Sequence, residues 1–146
     1  MRNFFFISLS FICAVFYIFS THNGDMHMSS RKPSLDDALY TFIEDEAKIL
    51  ESKYHMRLSG FGGAEKDKKI WKINAYFDIH DSLLTEFEAR KLIISCANDF
   101  LKAANSDENL RVYLINYPFT YDNLDLSLFL KNKDGQRAYY PYISVV

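Results

Sequence analysis

The sequence predicts an α+β domain behind an apolar leader, and three observations carry that expectation. Residues 4–19 run for 16 positions without a charge. Two later stretches repeat apolar residues at the period of an amphipathic helix. Between and after them, Ile73, Ala75, Phe77 and Ile79, then Leu124, Leu126, Leu128 and Leu130, alternate at the period of a strand with one buried face.

The leader has the layout of a secretion signal or signal anchor, with Arg2 just before the apolar run. As a helix it spans about 24 Å, against a hydrocarbon core of about 30 Å and a signal core of roughly 7–15 residues. Cleavage wants small residues at alternate positions. Here Ser20 is preceded two positions earlier by bulky Ile18, so an uncleaved single-pass anchor is preferred. The alternative is a cleaved signal and a secreted or periplasmic product. Cys13 follows Ile12 and precedes more apolar residues, which disfavours lipidation. A buried core helix is disfavoured because the run has no polar face. Arg2 lies close to the segment, whereas Arg31 and Lys32 lie about a dozen residues past its other end, which places the amino terminus inside and the C-terminal domain extracytoplasmic. The expected plan is residues 1–20 as signal or anchor, 21–33 as a flexible tether and 34–146 as a single domain. His22, Met26, His27 and Met28 fall in the tether and read as spacer.

Within the domain, Ser34 with Asp37 opens a helix over residues 34–54, with Leu35, Leu39, Phe42, Ile43, Ala47, Ile49 and Leu50 as its apolar stripe. A first strand is expected over residues 54–61, broken by Gly60, Gly62 and Gly63. A second covers 71–79, with Trp71 in its buried set. Thr85 and Glu88 form a capping box for a second helix, whose apolar face holds Phe87, Leu92, Ile93, Cys96, Ala97, Phe100, Leu101 and Ala104. Three further strands are expected, over 111–117, 124–131 and, after the Asp134-Gly135 hairpin signal, around 136–145. The order α-β-β-α-β-β-β predicts two helices on one face of a mostly antiparallel five-stranded sheet.

Composition excludes several classes. Three of the 17 bases and one of the 19 acids precede Ser34, leaving 14 against 18 in the domain. That balance carries no footprint for nucleic acid. Cys96 is the one cysteine beyond the leader, so an intrachain disulfide there is excluded.

Candidate chemistry is sparse. The glycines at 60, 62 and 63 follow a strand but lack the Gly-Lys-Ser/Thr ending of a phosphate loop. Asp78, His80 and Asp81 are the compact acid–histidine cluster, the type of grouping that orients a general base or contributes to a metal site. No Gly-x-Ser-x-Gly elbow is present, and Cys96 on an apolar helix face reads as core. No cofactor is expected. Two aromatic turns remain. Tyr117, Phe119 and Tyr121 flank Pro118, and Tyr139, Tyr140 and Tyr142 flank Pro141. Aromatic residues that pair an apolar face with a hydroxyl suit protein interfaces. The expectation is a non-enzymatic, membrane-tethered or exported interaction module. Its membrane contact is residues 4–19, and a protein partner meets the aromatic loops. The alternative is a small hydrolase or metal-dependent enzyme built on Asp78, His80 and Asp81.

Overall fold

A computed structural model describes residues 32–80, 83–137 and 144–146. The expected leader, nearly all of the tether, Asp81 and the tyrosines at 139, 140 and 142 lie outside the described residues.

Helix α1, Leu35–Tyr54, starts where the capping chemistry demands. Ser34 Oγ accepts from the Asp37 amide at 3.2 Å, and the Asp37 carboxylate accepts from the Ser34 amide at 3.2 Å. The helix stops at His55, which adopts a left-handed conformation with φ of 54°. Its buried stripe is Ala38, Leu39, Phe42, Ile43, Glu46, Ala47 and Leu50. Ile49 lies at the edge of this stripe, beside Phe42 and Glu46, and is exposed, contrary to the sequence reading.

Strands β1, Arg57–Lys66, and β2, Lys69–Ile79, form an antiparallel hairpin. Its two-residue turn uses Asp67 and Lys68, both at positive φ, a backbone whose twist matches that of the strands it joins. The glycines expected to break β1 lie inside it. Gly63 does so because Leu39 of α1 packs there: a Cβ at this position would sit 2.7 Å from the Leu39 side chain. Trp71 is exposed and Ile70 takes its place in the core. The cause is a register shift, with Ala64 opposite Lys72 but Glu65 opposite Ile70, which leaves Trp71 as the extra residue.

Helix α2, Glu86–Ser106, begins at the expected box, with Thr85 Oγ1 and the Glu88 carboxylate capping each other's amides. It buries Ala89, Cys96, Ala97, Phe100, Leu101 and Ala104. Phe42 of α1 meets Phe100 edge to face at 5.3 Å, and each fully buried side chain of this size stabilises by about 1.5–3 kcal/mol. Phe87, expected on the apolar face, is instead 76% exposed.

Here the chain departs from the expected sheet. Residues 111–117 are not a strand. The Asp107 carboxylate accepts from the amides of Asn109 and Leu110, both at 2.8 Å, and starts the short helix α3, Glu108–Arg111. Leu110 and Leu114 are buried, four residues apart, while Val112 and Ile115 are exposed. The stretch meets the sheet at a single bridge, Leu114 opposite Ile70, where the Ile70 amide donates to the Tyr113 carbonyl at 2.7 Å and the Ile115 amide donates to the Ile70 carbonyl at 2.9 Å. After a 3-10 turn at Tyr121–Asn123 comes β3, Leu124–Leu130. It pairs with β2 in parallel, from Ile73 opposite Leu124 to Ile79 opposite Leu130. Parallel pairing follows from the intervening helices, because a chain that crosses over through a helix returns in its original direction.

The sheet is therefore three-stranded, in the order β1-β2-β3, with one antiparallel and one parallel ladder. It is not the mostly antiparallel five-stranded sheet expected. The Asp134-Gly135 turn does reverse the chain, with Arg137 bridging Lys131. Residues 144–146 then lie antiparallel beside β3, where Leu128 and Val146 exchange backbone hydrogen bonds of 2.7 and 3.0 Å. Among the described residues these contacts are bridges, not a further strand. The α+β class holds, with a core drawn from α1, α2, β2 and β3. No helix among the described residues is long and apolar enough to cross a membrane.

Candidate functional site

Asp78 lies on the sheet face turned away from the helices. The Lys131 ammonium donates to its carboxylate at 2.6 Å, and both side chains are half-buried. Arg57 faces it across the ladder. His80 is exposed just beyond β2. No group of three or more metal-ligating side chains is gathered among the described residues. Asp78 thus ties the end of β3 to β2, and among the described residues no further metal-ligating side chains gather at its carboxylate.

The aromatic turn is a built object. The Asn105 side chain holds it by accepting from the Phe119 amide at 2.7 Å and donating to the Phe119 carbonyl at 3.0 Å. Buried Asn123 donates to the Trp71 carbonyl at 2.9 Å and accepts from the Thr120 amide at 3.1 Å. These bonds turn the Phe119 ring into the core, where it is 3% exposed. Phe119 is therefore an anchor of the loop, and the sequence reading of it as a surface residue is corrected. Tyr117 and Tyr121 stay outside. The Arg111 guanidinium stacks over the Tyr117 ring at 4.0 Å, and the Tyr121 hydroxyl donates to the Asn98 side chain.

Beside Tyr121, α2 and β3 diverge to leave an open groove of about 270 Å³, lined by Ile93, Ile94, Ala97, Tyr121, Leu124 and Leu126. All six side chains are apolar or aromatic. Ile94 is exposed, as are Phe87 in the first turn of the same helix and Leu83 just before it. Sequence reasoning saw Tyr121 but not the groove. Ile94 falls outside the buried period of α2, and that is the signal that an apolar residue there faces solvent.

A second polar feature lies between α1 and α2. Asp99 accepts hydrogen bonds from the Lys53 ammonium and, at 2.6 Å, from the Tyr54 hydroxyl. The Lys53 bond, then the Tyr54 bond, hold the Asp99 carboxyl below the usual carboxylate range. Burial pushes the neighbouring Cys96 thiol up to about 12, with Asp99 adding to the shift, so Cys96 is an inert core thiol. Glu46 is 6% exposed. Burial first, and the Asp99 charge second, push its carboxyl up to about 7. The sequence carries this signal: Glu46 lies four residues from Phe42 and four from Leu50, inside the apolar stripe.

Comparison of the chain with protein families, with curated proteins and with solved structures finds no match.

Proposed function

We propose that the chain is a membrane-tethered interaction module with no catalytic chemistry of its own. Residues 4–19 hold it in the bilayer as a single-pass anchor, and the folded domain stands on the extracytoplasmic side. The domain presents the α2–β3 groove, with Tyr121 at its rim, and exposed Tyr117 of the same turn to a protein partner. The observation that carries this reading is the apolar groove itself, continuous with exposed Ile94 and rimmed by Tyr121. Clustered exposed apolar side chains mark contact surfaces more often than isolated ones do. Tyrosine at the rim adds a large face at low entropic cost.

The test uses the full chain in its native membranes. Ile94→Lys and Tyr121→Ala alter exposed positions and should leave folding intact. Each should cut partner capture by about tenfold or more if it removes a contact of the energetic centre. Capture unchanged by both substitutions would reject this surface. Recovery of the full-length chain from the soluble fraction after alkaline washing of the membranes would reject the tether.

A further inference from the structure

We propose that the groove between α1 and the C-terminal end of α2 binds a primary ammonium group on a short alkyl arm, with Glu46 as its counter-ion. Glu46 is more than nine-tenths buried. Among the described residues it makes no hydrogen bond and no ion pair. Its side chain lines a groove of about 270 Å³ whose other walls are Phe42, Asp45, Ile49, Ala103, Ser106 and Asp107.

The neighbouring charges leave Glu46 uncompensated. On α1, the Lys48 ammonium is spent on Asp45 at 2.9 Å, and the Lys53 ammonium is spent on Asp99 of α2. Asp99 raises the negative potential at Glu46, and Lys53 offsets it only in part. The residue is nearly buried while its unbonded carboxylate oxygens still reach the groove surface. A partly desolvated carboxylate without a partner is costly, so the site favours either a proton or an incoming cation.

The groove favours a particular kind of cation. An ammonium has three donors and no acceptor. Three of the lining residues carry acceptors: the Glu46 carboxylate, the Ser106 oxygen, whose own proton goes to the Lys102 carbonyl at 2.8 Å, and Asp107, whose Oδ1 serves the α3 amides while Oδ2 has no partner among the described residues. Phe42, Ile49 and Ala103 supply apolar contact for an alkyl arm. A bare divalent ion is disfavoured, because no trio of metal-ligating side chains converges here among the described residues. The ammonium has two sources: the tip of a lysine side chain or a free small amine.

The experiment is an amide-shift titration of the ¹⁵N-labelled full chain in amine-free detergent micelles. The probes are n-butylammonium and Nα-acetyl-lysine N-methylamide, with 1-butanol as the uncharged match. The expected result is saturable shifts at Glu46, Ala103 and Ser106 with both ammonium probes and none with butanol. Tighter binding of the lysyl probe assigns the site to a protein side chain, and tighter binding of butylammonium assigns it to a free amine. Glu46→Gln keeps the side-chain shape and should weaken binding by about tenfold or more, as expected for a lost charged hydrogen bond. Wild-type binding should weaken as pH falls from about 8 to about 5, as Glu46 takes up its proton. Equal affinity in the Gln variant, equal shifts with butanol, or no saturable shift with either ammonium overturns the proposal.

Discussion

Glu46 sits on the buried stripe of α1, and its carboxyl is pushed up from 4.5 to about 7, first by burial and then by Asp99. The folded chain therefore holds this proton more tightly than the unfolded chain does. The sign follows from linkage. The contribution to stability is whole below about pH 4.5, where both states are protonated, and is lost as pH rises to about 7. A gap of that size corresponds to about 3 kcal/mol, since each tenfold change in proton affinity is worth about 1.4 kcal/mol. Glu46→Gln removes the titration and keeps the shape of the protonated acid. The variant should match wild type near pH 4 and exceed it by up to about 3 kcal/mol near pH 8. Urea titrations of the full chain at several pH values, followed at its single tryptophan, Trp71, measure the difference. A stability difference that stays constant across pH, or a Gln variant that is weaker at pH 8, would refute the burial of Glu46 without a counter-ion.

Phe119→Ala should cost about 3–5 kcal/mol, the usual range for a buried phenylalanine, whereas Tyr117→Ala at the exposed end of the same turn should cost under about 1 kcal/mol. Chemical denaturation of the two variants separates an anchor from a surface residue, and similar losses would contradict the inward Phe119. Gly63→Ala places a methyl group against Leu39 and should cost about 1–3 kcal/mol through overpacking. Gly62→Ala meets nothing and should change stability by less than about 0.5 kcal/mol. Thermal unfolding of the pair checks the packing of α1 on β1.

The parts of this fold legible in the sequence are those set by local chemistry. Ser34 with Asp37 and Thr85 with Glu88 mark both long helices because capping is decided within four residues. The alternation along β2 and β3 is legible for the same reason. What is not legible depends on distant partners. Nothing near Leu124 announces that β3 will lie parallel to β2, since that pairing joins residues about 50 apart. Residues 111–117 alternate like a strand, but Asp107 captures two amides ahead of them and bends the chain into a helical turn. Trp71 follows the alternation of β2 in sequence and is expelled by a register shift that only the pairing with β1 reveals. Phe119 resembles its aromatic neighbours, and the Asn105 side chain, 14 residues earlier, sends it inward. The candidate surfaces follow the same division. Glu46 is visible as a charge within an apolar stripe. The α2–β3 groove depends on the tertiary placement of a strand whose partner the local pattern does not name.

The proposed interaction surface is tested most directly by site-specific photo-crosslinking of the full chain in its native membranes. A crosslinking residue at Ile94, beside the groove, should yield a discrete protein adduct that disappears with Tyr121→Ala. The same residue at exposed Glu44 on α1 should not yield that adduct. No protein adduct from position 94, or the same adduct from both positions, would contradict a partner seated between α2 and β3.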